Sequence, residues 1–209
     1  MIVIVDYEVG NSGSILNMFK FLGIEAKISR DRADLAAADK LVLPGVGAFD
    51  GGMEHLLRHD LVPLLEERVH EHKTPILGIC LGMQLLGSGS EEGKLPGLGW
   101  IAGGCKRFAR ERDPGGQMKV PHMGWNIVVP TGTQEGLFQG FEGEARFYFV
   151  HSYHLVCDDP ADVHATTNYY GPFVSAVRRG HVYGAQFHPE KSHKFGMRLL
   201  RNFAEGPPP

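Results

Sequence analysis

The chain has 209 residues, 43% of them hydrophobic and 22% charged, close to globular averages, so neither a disordered nor a fibrous chain is expected. A net charge of -3 with scattered Lys and Arg argues against nucleic-acid binding. The absence of a basic, apolar leader or of an 18-residue apolar run leads us to expect a cytoplasmic protein with no membrane contact.

In chain order, Ile2 to Val5, Ala26 to Ile28, Lys40 to Leu43 and Ile76 to Ile79 read as buried strands. Between them, Ser14 to Leu22 places Ile15, Met18, Phe19 and Leu22 on one helical face, and Leu56 to His70 carries Leu57, Leu61, Leu64, Leu65 and Val69 at near-helical spacing. Alternating strands and helices imply an α/β fold with an open, mostly parallel sheet flanked by helices. The second half differs: Lys106 to Ala109, Trp125 to Val129, Arg146 to His151, Val163 to Asn168, Val174 to Arg179 and Val182 to Phe187 are short strands divided by turn residues. They imply an additional antiparallel or mixed section. A last helix, Lys194 to Ala204, turns Phe195, Leu199, Leu200 and Phe203 inward. Residues 1–204 are expected to form one domain, with 205–209 a disordered tail. Gly87-Ser88-Gly89-Ser90 reads as a surface loop.

Three segments carry chemistry. Gly78-Ile79-Cys80-Leu81-Gly82 runs from a strand into a helical pattern with glycine on both sides of the cysteine, a nucleophile elbow. Flanking Cβ atoms would collide in so sharp a turn, and the turn lifts the sulfur to the top of the sheet. There the helix dipole favours an anionic nucleophile, and the Leu81 N–H is free to meet an oxyanion. A lone cysteine is more often a small buried hydrophobe. The second segment, His188-Pro189-Glu190, alters the balance. In an extended backbone, residues i and i+2 project to one side roughly 6–7 Å apart, so Glu190 can orient the imidazole that serves Cys80. The third, Leu43-Pro44-Gly45-Val46-Gly47-Ala48-Phe49, is a glycine-rich turn whose Val46 and Gly47 are candidates for the second oxyanion donor.

With these segments the chain resembles the triad-type (class I) glutamine amidotransferases, and among them the glutaminase subunits of imidazole glycerol phosphate synthase. Strings specific to that branch are Asp6-Tyr7 with Gly10-Asn11, Val120 to Asn126, and Phe147 to Tyr153. The resemblance implies the fold of that class, with Cys80 as nucleophile, His188 as general base and acid, and Glu190 as its orienting carboxylate. It implies a glutamine pocket of Gly47, Gly82, Gln84, Glu92, His151, Ser152 and Tyr153, with Glu92 suited to the substrate ammonium. It also implies a heterodimer with a (β/α)8-barrel cyclase, docked through Met123, Gly124, Trp125 and Asn126, that takes the ammonia into histidine biosynthesis. Alternatives are a glutaminase serving an anthranilate or aminodeoxychorismate synthase, or a non-catalytic interaction subunit.

No cofactor is expected. Eleven histidines raise the question of a metal, and His55 and His59 lie four apart on an expected helix. No third ligand is visible near them in the sequence, so no metal site is expected. The family pattern places glycine after the tyrosine of its first loop, where this chain has Glu8, and bulkier residues where it has the Gly-Ser stretch.

Overall fold

In a computed structural model the chain is described over residues 1–109, 111, 113, 115–132 and 136–206. Strands β1 (Ile2–Val5), β2 (Ala26–Ser29), β3 (Lys40–Gly45) and β4 (Ile76–Cys80) pair in parallel, in the order β2-β1-β3-β4. Successive side chains face opposite sides of the sheet, which is why β1 and β4, and β3 after Lys40, are apolar. Val3 and Val5 enter one core cluster while Ile2 and Ile4 enter the other, so both faces of the strand are covered.

The Val3 face is covered by α2 (Arg32–Ala36), α3 (Phe49–Arg58), α4 (Val62–Glu66) and α5 (Leu81–Leu85), through Leu35, Met53, Leu56, Leu64 and Leu85. On the opposite face lie α1 (Ser12–Phe21) and α6 (His193–Glu205), through Ile15, Phe19, Leu199 and Phe203. Among the described residues no helix is long and apolar enough to cross a membrane.

The second half extends this sheet. Strand β11 (Val182–Ala185) lies parallel to β4, and from it the sheet continues antiparallel through β10 (Pro172–Arg179), β9 (Val163–Asn168), β6 (His122–Pro130) and β7 (Ala145–His151). The nine-stranded order β2-β1-β3-β4-β11-β10-β9-β6-β7 therefore joins the two halves at β4 and β11. A separate ribbon pairs β5 (Gly103–Arg107) with β8 (Tyr153–Cys157).

Several sequence expectations change. The single helix expected over Leu56 to His70 is broken: α3 ends at Arg58, Asp60 takes φ 51°, and α4 starts at Val62 with Pro63 in its first turn. A left-handed residue ends the first helix, and proline is tolerated at the start of the next. The following residues, Glu67–Glu71, form a π-helical turn, and Leu57 is exposed. Helix α2 and strand β8 were not anticipated. The Gly-Ser stretch is an irregular segment with Ser88 exposed, in keeping with a surface loop, and it is tied to β5, Ser88 N–H donating to the Gly103 carbonyl at 2.7 Å and Cys105 N–H to the Gly89 carbonyl at 2.8 Å. Phe195 is half-buried, and Glu205, expected in the tail, is the last residue of α6. Residues 207–209 of that expected tail lie outside the described residues.

Candidate active site

Cys80 ends β4 with φ 55° and ψ -109°, a conformation that side chains rarely adopt, and α5 begins at the next residue. Two close approaches hold it there. A Cβ on Gly78 would stand 2.6 Å from the Gly82 carbonyl oxygen, and one on Gly82 would stand 1.9 Å from the Leu43 carbonyl oxygen. The glycines therefore let α5 press against both β4 and β3, as the elbow reading requires. Register supplies the neighbour: Gly45 is the β3 partner of Cys80, so the Val46-Gly47 turn leaves the sheet beside the sulfur. Gly47 has φ 102°, suited to glycine. The first helical N–H groups of α5, beginning with Leu81, have no carbonyl partner within the helix.

His188 arrives from the neighbouring strand. Parallel pairing sets Ala185 opposite Ile79, after which the His188 N–H donates to the Tyr148 carbonyl at 2.9 Å. Ser192 Oγ locks the bend, donating to the His188 carbonyl at 2.6 Å and accepting from Tyr148 N–H at 3.0 Å. Pro189–Lys191 is a 3-10 turn, so Glu190 reaches the ring by a tight bend, not along the extended backbone expected from sequence. His188 Nδ1 lies 2.8 Å from Glu190 Oε1, and both side chains are 2% exposed. Burial works against a charged ring, but the Cys80 sulfur and the Glu190 carboxylate outweigh it and push the His188 pKa up to about 9.

A cavity of about 290 Å³ opens over the sulfur, lined by Val46, Gly47, Leu81, Gln84, Glu92, His151, Ser152, Tyr153 and His188, with Pro121 and Val150 added to those expected. Its size is at the lower end of the roughly 300–1,000 Å³ common for ligand pockets, suiting a small substrate. Gly82 is absent from the lining; its place is in the packing beneath Cys80. Glu92 Oε2 accepts the Phe49 N–H at 2.9 Å, which ties the pocket rim to the start of α3. Gln84 spends its amide internally, donating to the Tyr153 carbonyl at 3.0 Å and to Gln186 Oε1 at 3.1 Å. Fully buried Gln186 in turn directs its Nε2 at the Cys80 sulfur, 3.8 Å away. Gln186 has no role in the sequence expectations; its signal there is an amide at an otherwise apolar strand end.

His151 is fixed by a relay. Its Nδ1 lies 2.7 Å from the Tyr153 carbonyl and must therefore carry the proton, so its Nε2 accepts from His122 Nδ1 at 3.1 Å. His122 Nε2 in turn faces Asn126 Nδ2 at 3.3 Å. Burial pushes the pKa of His122 down to about 4 and that of His151 to about 3, which keeps both rings neutral. Beyond this relay, Met123 and Trp125 project outward, 61% and 47% exposed, and Trp125 stacks on His193 with ring centroids 5.5 Å apart. Gly124 and Asn126 are half-buried between them, and Asn126 is committed to His122 and to the Asn168 carbonyl.

Residues 3–206 match the family of class-I glutamine amidotransferases. The chain is 52% identical over 205 residues to imidazole glycerol phosphate synthase subunit HisH 2 of Pseudomonas aeruginosa, covering 98% of this chain and 99% of the relative. It is 48% identical to the HisH 2 subunit of Methanococcus maripaludis, covering 97% and 98%, and 48% identical to the HisH subunit of Bdellovibrio bacteriovorus, covering 98% and 100%. Among solved structures, a glutamine amidotransferase superposes with TM-score 0.72 at 22% identity, covering 97% of each chain. The PurLQS structure from Thermotoga maritima gives TM-score 0.72 at 18% identity, covering 97% of this chain and 96% of that one. At these identities the structural likeness speaks for the fold alone.

Proposed function

The chain belongs to the class-I glutamine amidotransferases and, within them, to the HisH family of imidazole glycerol phosphate synthase subunits, and from that membership we propose a Cys80-His188-Glu190 glutaminase that passes ammonia to a cyclase subunit. Glutaminase activity belongs to the amidotransferase itself; the lyase activity belongs to the synthase complex. The observation that supports the triad is the His188 ring, bound through Nδ1 to Glu190 at 2.8 Å, with its buried Nε2 free of any other hydrogen bond among the described residues, in the cavity that Cys80 also lines.

In this reading glutamine lies in the cavity with its side-chain amide over Cys80. The sulfur attacks the amide carbon, and the resulting oxyanion is met by the Leu81 N–H and by an N–H of the Val46-Gly47 turn. His188 gives its proton to the departing nitrogen, so that ammonia leaves and a γ-glutamyl thioester remains. Water, giving its proton to His188, attacks the thioester, and glutamate is released with the thiolate restored. Glu190 holds the ring in one tautomer and balances its charge throughout. Glu92 is suited to the substrate ammonium at the pocket rim, while Gly47, Gln84, His151, Ser152 and Tyr153 shape the rest.

The partner is read as a (β/α)8-barrel cyclase in a heterodimer, docked through Met123, Gly124, Trp125 and Asn126. Ammonia is mostly protonated, and thus unreactive, at neutral pH, which gives a docked acceptor its chemical purpose. We further read residues 1–204 as one domain, supported by the continuous nine-stranded sheet, and place the protein in the cytoplasm, consistent with three unpaired cysteines. The test is glutamate production from glutamine by the chain alone and with the cyclase plus its ribonucleotide substrate. Marked stimulation and its loss in Cys80→Ala are expected; glutamine hydrolysis by Cys80→Ala would remove the proposed mechanism.

A further inference from the structure

The loop after β1 and the C-terminal end of α3 bring together three groups that the amidase chemistry does not use. Glu8, His55 and His59 each present one ligand atom, and the three atoms lie within 4.8 Å of one another. Glu8 Oε2 is 3.6 Å from His55 Nδ1 and 3.4 Å from His59 Nε2. These separations are long for hydrogen bonds to an imidazole, whose usual range ends near about 3.2 Å. They agree instead with the edge of a tetrahedron around an ion held at roughly 2.0–2.2 Å, which comes to roughly 3.3–3.6 Å. The third edge, between the two imidazoles one helical turn apart, lies within 4.8 Å, and ion binding would require their rings to rotate toward each other.

Two further observations concern the same groups. His55 Nδ1 is buried and makes no hydrogen bond, leaving a ring nitrogen aimed at the carboxylate without a settled partner. Glu8 sits at φ 66°, a left-handed conformation that non-glycine residues rarely take and that marks functional positions when the surroundings enforce it. Its other oxygen, Oε1, accepts from Arg30 Nη1 at 2.8 Å, and Arg30 Nη2 is itself held by Asp6 Oδ2 at 3.1 Å. Arg30 Nη1 also lies 3.4 Å from His59 Nε2. A cation entering here would turn the guanidinium toward Asp6, and Arg30 is 43% exposed with room to move. Two carboxylates against one guanidinium leave the cluster with a net negative charge to receive the ion.

We propose that Glu8, His55 and His59 form a binding site for a divalent transition metal of the zinc and cobalt type, with a fourth position taken by water. Nitrogen and carboxylate donors at this spacing favour such ions over calcium or magnesium, which take oxygen ligands. A bound ion would clip the loop carrying Tyr7 to the end of α3, the helix that begins just past the Val46-Gly47 turn.

The test is cobalt(II) titration of the full, untagged chain carrying Cys80→Ala, which removes the active-site sulfur as a competitor, followed by visible absorption and calorimetry. One ion per chain is expected, with the d–d bands of a nitrogen and oxygen site and no sulfur charge-transfer band. Glu8→Gly and His59→Gln should each weaken binding by at least the roughly 10–100-fold that loss of a mere outer-shell partner costs. Glu8→Gly places glycine at a left-handed position, so its fold should persist, and metal-free melting curves check this. No saturable binding, a sulfur charge-transfer band, or binding unchanged by both substitutions overturns the site.

Discussion

Gly82 lies so close beneath Leu43 that a Cβ added to it would stand 1.9 Å from the Leu43 carbonyl oxygen. The contact joins the helix that follows Cys80 to the strand that runs into the Val46-Gly47 turn. Gly82→Ala should therefore act at a distance on Cys80. Overpacking of this kind costs about 1–3 kcal/mol, which for a chain of this size lowers the melting temperature by roughly 2–12 °C. A glutaminase kcat reduced more than tenfold is expected alongside it. A melting curve and rate equal to those of the unaltered chain would contradict this packing.

Burial of the ring lowers the pKa of His188, but the Cys80 sulfur and then the Glu190 carboxylate outweigh it and raise it to about 9 from an ordinary 6.5. In the proposed mechanism the imidazolium gives its proton to the departing nitrogen, so the active form prevails below that value and activity should decline as pH rises through about 9. Glu190→Gln removes the charge while keeping the shape. The alkaline limb of kcat/KM should then move to lower pH, with a rate loss of roughly 100- to 10,000-fold. An alkaline limb that stays in place in the variant would separate Glu190 from this role.

Acid should destabilise the fold through the pocket relay. His122 and His151 have folded pKa values near 4 and 3, below the 6.5 of a free imidazole. Between pH 6.5 and 4 the unfolded chain binds protons that the folded chain refuses. Stability is therefore intact above about pH 6.5 and falls as pH drops, by up to about 1.4 kcal/mol per pH unit for each ring. Urea unfolding at pH 7 and pH 5 measures this, and His122→Gln should narrow the difference. An equal difference in the variant would mean that other groups carry it.

Trp125 is 47% exposed and stacked on His193, so it holds little of the core. Trp125→Ala should change the melting temperature by no more than about 2 °C, in keeping with roughly 0.5 kcal/mol for a surface change. If this face docks the cyclase, affinity for that subunit should fall by roughly 30-fold, the value of an aromatic anchor worth about 2 kcal/mol. Calorimetric titration of the two subunits decides it; unchanged affinity would move the docking face elsewhere.

How much could be read in advance depended on how local the cause was. Strands β1, β3 and β4 were legible because burial on both faces demands unbroken apolar runs, and α1 and α6 because one face of each is apolar. The elbow was legible because its glycines answer a steric need within five residues. The helix break at Asp60 was missed because leucines on both sides of it keep the helical period. Glu190 was found, although it reaches His188 through a 3-10 turn instead of an extended strand. Its proximity in sequence brought the two groups together under either geometry.

By itself, the sequence determined the strand-and-helix alternation, the strained turn at Cys80 and the paired histidine and carboxylate, since all rest on sterics and periodicity among near neighbours. The tertiary structure alone decided that β11 lies parallel to β4, which carries His188 across more than a hundred residues to the Cys80 sulfur. It likewise decided that Gln186 points at that sulfur and that Glu8 faces His55 and His59. Strand order and register arise from burying several elements at once, and no short window of residues contains that competition.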